Sequence, residues 1–273
     1  MPLNNIVVFR GGGDVATGSI QKLFRTGFKI LVLEMEKPLC IRRYVSTAQA
    51  IFDGEVQIED FTARKVENLD QIKKAWEENV VPVFVDPKAE ILEELKPMAV
   101  VDGTLAKKNI GTNKNMADIT IALGPGYEAG VDVDYVIETN RGHDLGRLIF
   151  EGFAEKNTGI PGNIKGFTSE RILRAVDDGQ IQVIEDIGSV VKKDQVVALV
   201  NGKEIKSQLD GMVRGMIGNG SFVTKGLKIG DVDPRVIPKN AKTISDKARL
   251  IGGGCLEAIL IGKRRIENGY TNS

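Results

Sequence analysis

The run of three glycines after the first apolar segment constrains the fold more than any other feature of this sequence. Residues 6–9 form a short apolar segment typical of a buried strand, and glycines occupy positions 11–13. A helical pattern then covers residues 16–25, and a second apolar segment over 29–33 ends at Glu34. This order of strand, glycine turn, helix, strand and acidic residue is the layout of a dinucleotide-binding βαβ unit. The sequence therefore predicts a Rossmann-like unit at the start of the chain.

The glycine turn, residues 11–13, suits the binding of a phosphate. Glycines permit a tight turn and let backbone N–H groups approach a phosphate at a helix N-terminus, where the helix dipole favours negative charge. Glu34 lies 21 positions after Gly13, close to the spacing of about 20 residues expected for a ribose-binding carboxylate. The predicted cofactor-binding residues of this unit are therefore Gly11, Gly12, Gly13, Asp14 and Glu34.

Two departures from the usual pattern keep an alternative open. The glycines read G-G-G-D-x-A-x-G instead of G-x-G-x-x-G, and Asp14 places a negative charge beside the predicted phosphate. The alternative interpretation is a glycine turn that only packs the helix against the sheet.

The composition excludes several classes of function. Lys plus Arg and Asp plus Glu both number 37, so the chain lacks the basic excess that nucleic-acid binding needs. One histidine and two distant cysteines argue against a histidine-rich metal site and a disulfide framework, and no metal is predicted. There is no apolar run of membrane length and no charged leader at the N-terminus. We therefore expect a cytoplasmic protein with no nucleic-acid or membrane partner.

Apolar segments of strand type continue to residue 123, and helical patterns separate them. Strands without polar alternation indicate a parallel sheet covered by helices on both faces, in which ligands bind at the carboxyl ends of the strands. Those ends are Arg10-Gly11, Glu34, Asp86, Asp102-Gly103-Thr104 and Gly124-Pro125-Gly126. Gly124 and Gly126 therefore join the predicted cofactor-binding residues.

The pattern changes after Gly166 to short β-type segments, turns and glycines, and it contains an internal repeat. Asp178-Gly179 matches Asp210-Gly211, and Gly188-Ser189 matches Gly220-Ser221, both at an offset of 32 residues. Two similar β units predict a small barrel, and the segment resembles the biotinyl/lipoyl carrier domain, a barrel-sandwich hybrid. Carriers hold a modified lysine between the two halves. Lys203 lacks the flanking residues of such a site, which favours an unmodified barrel.

The predicted fold class is thus α/β, with three parts. A Rossmann-like parallel-sheet domain covers residues 1–165, and a small all-β barrel-sandwich-hybrid domain is inserted at 166–240. A C-terminal helical segment, 241–273, packs back on the α/β domain.

Several motifs together resemble the YqeB-type maturation proteins of the selenium-dependent molybdenum hydroxylase system. These are relatives of the XdhC/CoxI accessory proteins of xanthine and carbon monoxide dehydrogenases. The motifs span residues 9–260: FRGGGDVATG, IRR, GPGYEAGVDVDYVIETNRGHDLG, NTGIPG, KIGDVDPR and KARLIGGGCLEAIL.

The resemblance implies an accessory factor for a molybdenum hydroxylase rather than an enzyme. Such a factor would bind molybdenum cofactor, a pterin dinucleotide, or a related dinucleotide, and would assist its insertion or its sulfur or selenium modification. Its implied partner is an apo molybdenum hydroxylase, and a homodimer is left open. The alternative is an NAD(P)-dependent oxidoreductase with an NAD-like dinucleotide, although no proton-transfer set besides His143 stands out.

Five further residues are candidates for the site, and each also has a purely structural interpretation. Arg42 and Arg43 follow the second strand, and either could bind an anion or lie in a solvated loop. Arg141 suits bidentate phosphate binding and His143 could donate to a pterin or phosphate oxygen, or both could belong to a capped turn. Cys255 is the predicted catalytic residue, a thiol that handles sulfur or selenium; the alternative is a buried, inert cysteine.

Overall fold

The computed structural model describes residues 5–156, 159 and 161–269. The chain divides into two compact units. The large unit contains Met1–Pro38, Ser46–Asn157 and Ile244–Ser273, and the small unit contains Leu39–Val45 and Thr158–Thr243. The small unit thus includes a segment from the first part of the chain, which the predicted boundaries at 166 and 240 did not include. Asn157, Thr158 and Ile160 of the NTGIPG motif lie outside the described residues.

The strands and helices alternate along the first half of the chain. The strands are β1 Ile6–Arg10, β2 Lys29–Glu34, β3 Glu55–Ile58, β4 Phe61–Val66, β5 Val81–Val85, β6 Ala99–Asp102, β7 Ile119–Leu123, β8 Glu128–Ala129, β9 Tyr135–Ile137, β10 Leu148–Ile149, β11 Gly152–Phe153, β12 Ile172–Arg174, β13 Gly179–Val183, β14 Val190–Val191, β15 Val196–Val200, β16 Lys203–Lys206, β17 Gly211–Met216, β18 Phe222–Val223 and β19 Lys228–Asp233. The α-helices are α1 Asp14–Arg25, α2 Ala50–Asp53, α3 Leu69–Glu77, α4 Leu92–Leu95, α5 Lys239–Lys242 and α6 Asp246–Glu267.

A nine-stranded mixed sheet forms the centre of the large unit, in the order β10-β9-β7-β6-β1-β2-β5-β4-β3. The strands from β9 to β4 in this order are parallel, whereas β3 pairs antiparallel with β4 and β10 pairs antiparallel with β9. The predicted Rossmann-like parallel sheet is therefore wrong. The physical reason lies in the connections, because a short turn such as Glu59-Asp60 returns the chain antiparallel, whereas parallel neighbours need a longer crossover.

Helices cover the large sheet on both faces. On one face, Val8 of β1 and Leu31 of β2 share a buried cluster with Ile72 of α3 and Leu92 of α4. On the other face, α6 packs against β7, where Gly262 lies directly over the side chain of Ile119.

The helices α1 and α6 pack at a distance that only glycines allow. A Cβ atom on Gly18 would lie 2.3 Å from the carbonyl oxygen of Ala248, and one on Gly252 would lie 2.5 Å from the carbonyl oxygen of Gly18. Gly254 makes a similar close approach to Gly146, whereas Gly253 faces open space. Ser245 is the N-cap of α6, and its side chain accepts a hydrogen bond from the Ala248 N–H. The tail of the chain is therefore part of the large unit.

The small unit contains two four-stranded antiparallel sheets, ordered β12-β19-β17-β14 and β16-β15-β13-β18. Adding 32 residues to the strands of the first repeat gives the strands of the second, so that each sheet combines strands of both repeats. The small unit thus has two antiparallel sheets and also contains the segment Leu39–Val45, whereas the sequence predicts a single inserted barrel. The fold class is corrected accordingly to a mixed α/β sheet with a separate antiparallel unit.

Among the described residues, no helix has both the length and the apolar character that crossing a bilayer requires.

We expect two adjacent glycines of α6 to respond in opposite directions to alanine. Gly252→Ala should destabilise the protein by about 1–3 kcal/mol, because its Cβ would meet the backbone of α1. Gly253→Ala, one position later in the same helix, should stabilise it by about 1 kcal/mol, because the Cβ enters open space. Urea unfolding of both variants measures the difference. Equal shifts in both variants would contradict the close α1–α6 packing.

Candidate functional site

The strand order places a topological switch point, called the crevice below, at the carboxyl ends of β1 and β6. From β1 the chain passes through α1 to β2 on one side, whereas β6 and β7 extend the sheet on the other side of β1. In open α/β sheets, ligands bind at such a switch point, because the connections on the two sides diverge. The glycine turn forms one lip of this crevice, and the loop that begins at Gly103 forms the other.

The first two glycines of the turn use their N–H groups within the protein. Gly11 has φ +87° and donates to the carbonyl oxygen of Leu33 at 2.8 Å. Gly12 donates to Oε1 of Glu34 at 2.6 Å. A Cβ on Gly12 would lie 2.3 Å from Oγ1 of Thr47, so this position is closed by the protein itself. Neither glycine therefore presents a free N–H to a ligand in this structure.

Glu34 holds the turn in this structure, whereas the sequence predicts that it binds a ribose. Its carboxylate is 9% exposed and accepts hydrogen bonds from the N–H groups of Gly12 and Met35. Burial raises the pKa of Glu34, and the two backbone N–H donors act in the opposite direction. The two donors offset part of the cost of burying this charge.

Gly13 is the open part of the turn. It occupies the N-cap position of α1 with φ −64° and ψ 174°, and no side chain caps the helix there. A Cβ at this position would meet no atom within 4 Å. Among the hydrogen bonds of the described residues, none satisfies its N–H. Asp14 follows in the first turn of α1.

A buried polar network fixes the opposite lip. The Asp102 carboxylate is fully buried and accepts hydrogen bonds from Oγ1 of Thr104 at 2.5 Å, Oγ1 of Thr112 at 2.5 Å and the Tyr127 hydroxyl at 2.7 Å. The Arg10 guanidinium donates to Thr112 and lies 3.9 Å from Asp102. Burial, followed by the nearby charge of Asp102, raises the pKa of Tyr127 to about 12. The network ties the loop after β6 to the end of β1.

The two lips touch at Thr104. The other two predicted glycines, Gly124 and Gly126, lie in the loop after β7. A Cβ on Gly11 would lie 3.1 Å from Cγ2 of Thr104. Gly126 leaves room for the same loop, since its Cβ would lie 2.3 Å from the carbonyl oxygen of Ala106. Gly124 has φ +94° and packs against Thr139. Gly126 therefore positions the loop after β6, whereas the Gly124 N–H is used within the protein, where it donates to the carbonyl oxygen of Ile137 at 3.0 Å.

Three of the predicted arginines have internal partners. In the small unit, Arg42 donates to the carbonyl oxygens of Asn240 and Thr243, and Arg43 donates to Met216 and pairs with Asp186. In the large unit, Arg141 makes a bidentate ion pair with Asp246 at 2.9 and 3.0 Å. These contacts give each guanidinium a structural role, and the anion-binding role stays a prediction.

His143 and Cys255 lie in opposite environments. His143 is exposed in the loop between β9 and β10. Cys255 is fully buried in α6, where burial raises the pKa of its thiol to about 12, against a smaller opposing effect of the nearby Ser19 hydroxyl. A thiol that handles sulfur or selenium has to react as the thiolate at a surface it can reach. The structure gives Cys255 neither condition, and its predicted catalytic role has no support here.

The most connected part of the site is not predicted by the sequence. Asp102 and Arg10 are expected there only as strand ends, and Thr112 and Tyr127 are not expected at the site. Tyr127 belongs to the GPGYEAG motif, so the motif itself was a signal for a buried polar side chain near the strand ends. Across the part of the chain that the structure describes, no group of three or more His, Cys, Asp or Glu side chains could hold a metal ion.

Comparison with curated proteins finds a long relative of this chain. Over 258 residues, the chain is 49% identical to a protein named "Uncharacterized protein YqeB" from Escherichia coli (strain K12). The match covers 94% of this chain and 48% of the relative, so the chain spans about half of the length of that protein. No family model matches the sequence.

Comparison with solved structures finds only distant likeness. A crystal structure of an aspartoacylase family protein from Mesorhizobium loti is 10% identical, over 74% of this chain and 56% of that chain, with a TM-score of 0.24. The apo ectoine utilization protein EutE (DoeB) from Ruegeria pomeroyi is 10% identical, over 83% and 85%, with a TM-score of 0.26. A succinylglutamate desuccinylase from Silicibacter sp. TM1040 is 12% identical, over 85% of each chain, with a TM-score of 0.25.

These comparisons correct the function expected from the sequence. None of the solved structures is described as a molybdenum hydroxylase maturation factor or as an NAD(P)-dependent oxidoreductase, and the name of the YqeB relative assigns it no role. Neither expectation is therefore carried forward as a role of this chain. With TM-scores between 0.24 and 0.26, no activity transfers from the solved structures to this chain either.

The buried thiol predicts a pH dependence of stability. The pKa of Cys255 is raised from about 8.5 in the unfolded chain to about 12 in the folded protein. Its contribution is therefore fully present below about pH 8.5 and is lost as the pH rises towards 12. Between pH 8.5 and 10, wild type should lose about 2 kcal/mol more than Cys255→Ala in urea unfolding. Parallel pH profiles, or modification of Cys255 by a thiol reagent in the native protein, would contradict this burial.

Proposed function

We propose that this chain, a member of the YqeB family, binds a phosphate-bearing small molecule at the crevice between β1 and β6. The phosphate would lie at the N-terminus of α1 and accept a hydrogen bond from the Gly13 N–H. The observation that carries the proposal is the open, uncapped start of α1 at the switch point of the sheet. At such a helix start, free N–H groups and the helix dipole both favour an anion.

Side chains cap the N-termini of the other long helices, α3 and α6, but not that of α1. Asn68 caps α3 by accepting from the Gln71 N–H, and Ser245 caps α6 by accepting from the Ala248 N–H. Side-chain oxygens therefore satisfy the first N–H groups of those helices. In α1 the residue at the cap is Gly13, which has no side chain to do so. A ligand oxygen would supply the missing acceptor.

The charge of Asp14 limits which kind of phosphate group this position would favour. A terminal phosphate monoester carries a charge of about −1.5 to −2 at neutral pH, whereas a diester or pyrophosphate linkage carries less charge per phosphorus. Beside the Asp14 carboxylate, the less charged linkage is repelled less strongly. The proposed ligand therefore carries its phosphate as a diester or pyrophosphate linkage, as an NAD-like dinucleotide does. The identity of its two bases, and the partner hydroxylase expected from the sequence, stay predictions.

Gly13→Asp provides a direct test of the proposal. An Asp side chain fits this position without strain, because φ is −64° and the Cβ enters open space. It would cap α1 and occupy the proposed phosphate position with a carboxylate. We expect a more than tenfold loss of affinity for NAD or FAD in calorimetric titration, while the free energy of unfolding changes by less than about 0.5 kcal/mol.

Two neighbouring variants serve as controls. Gly13→Ser caps the helix without a charge and should weaken binding less than Gly13→Asp. Asp14→Asn removes the repulsive charge and should increase the affinity. Gly12 is unsuitable for this purpose, because any side chain there would collide with Thr47 and disturb the turn itself. The proposal fails if neither NAD nor FAD binds the wild-type protein, or if Gly13→Asp binds them with unchanged affinity.

A further inference from the structure

A second concave surface lies near the crevice in the large unit. It is a pocket of about 470 Å³, lined by Lys107, Pro125, Phe153, Ala154 and Lys156. Three separate parts of the chain form it: the loop after β6, the loop after β7, and β11 with the residues that follow. The pocket therefore belongs to the same edge of the sheet as the glycine turn.

The floor of the pocket is apolar and its rim is cationic. Ala154 is buried, whereas Phe153 is 58% exposed. Lys107 and Lys156 are both exposed, and within the described residues neither takes part in an ion pair. An apolar floor with convergent charged groups at its rim is typical of a small-molecule site.

The acidic side chain nearest in sequence already has a partner. Glu155 lies between Ala154 and Lys156, and its carboxylate accepts a hydrogen bond from Nδ2 of Asn140 at 2.5 Å. Its own N–H donates to Glu138 at 2.7 Å. Glu155 does not line the pocket, so the two lysines leave the rim with a positive charge.

The pocket lies within reach of the crevice. Thr104 touches Gly11 at the crevice, and Lys107 follows Thr104 by three residues, which span at most about 11 Å. On the other wall, Pro125 is adjacent to Gly126, which packs against Ala106 of the same loop. A single elongated ligand could therefore contact both places.

We infer that this pocket binds a planar aromatic ring that carries an anionic substituent. The ring packs between Phe153 and Pro125, and the anionic group lies between the ammonium groups of Lys107 and Lys156. The inference rests on the proposed function, since the ring belongs to the ligand whose phosphate lies at α1. The ring alone, however, should bind the pocket without the phosphate site.

A matched pair of fluorescent probes tests the pocket by itself. 2-Naphthoate and 2-naphthamide have nearly the same shape, and they differ in the negative charge. We expect the wild-type protein to bind naphthoate about tenfold more tightly than naphthamide. The double variant Lys107→Gln/Lys156→Gln should abolish this preference, and Phe153→Ala should weaken both probes about fivefold.

Two control variants come from residues beside the pocket. Lys108→Gln removes a lysine of the same loop that does not line the pocket, and Phe150→Ala removes an aromatic ring of the same exposed fraction, 58%. Both should leave naphthoate affinity unchanged. Equal affinity for the two probes, or unchanged naphthoate binding in the double lysine variant or in Phe153→Ala, overturns the inference.

A second ligand pair separates this inference from the proposed function. Nicotinic acid adenine dinucleotide carries a ring carboxylate where NAD carries a neutral amide. Gly13→Asp should weaken both dinucleotides and leave naphthoate unaffected, whereas the double lysine variant should remove only the preference for the acid. If Gly13→Asp acts as expected but no preference for the acid exists, the pocket inference fails alone. If the preference exists but Gly13→Asp has no effect, the phosphate site fails alone.

Discussion

The hydrogen bonds from Gly12 and Met35 to the Glu34 carboxylate are the constraint on which the site depends. They tie the turn after β1 to the end of β2, so that α1 starts at the carboxyl edge of the sheet. A buried carboxylate is unfavourable by itself, and two backbone N–H donors offset much of this cost. Because Gly12 is engaged in this way, only the last glycine of the turn, Gly13, faces the crevice with an open cap position.

The second lip of the crevice is held in a comparable way. Asp102 is also a buried carboxylate at a strand end, and hydroxyl donors from Thr104, Thr112 and Tyr127 surround it. Donors of the protein itself therefore form hydrogen bonds to both carboxylates, those of Glu34 and Asp102. Rigid lips held by satisfied buried groups favour the binding of a ligand in one orientation. This arrangement explains why the proposed contacts fall on Gly13 and on the exposed lysines rather than on the buried acids.

The positions of the strands and helices could be predicted from the sequence, but the antiparallel direction of the strands at the two sheet edges could not. The apolar segments at 6–9 and 29–33 correspond to β1 and β2, and the helical pattern over 16–25 corresponds to α1. The antiparallel edge strands β3 and β10 decided the fold class, and they gave the sequence analysis no comparable signal. A two-residue strand such as Leu148–Ile149 has too few residues to show a period.

By itself, the sequence determined where strands, turns and helices lie, because hydrophobic period and glycine placement act over a few neighbouring residues. It also determined the 32-residue spacing between equivalent strands of the small unit. Only the tertiary structure decided which atoms meet: that Glu34 binds Gly12, that Arg42 belongs to the small unit, and that Cys255 is buried against α1. Those contacts join residues far apart in the chain, and a partner at long range depends on how the whole chain packs.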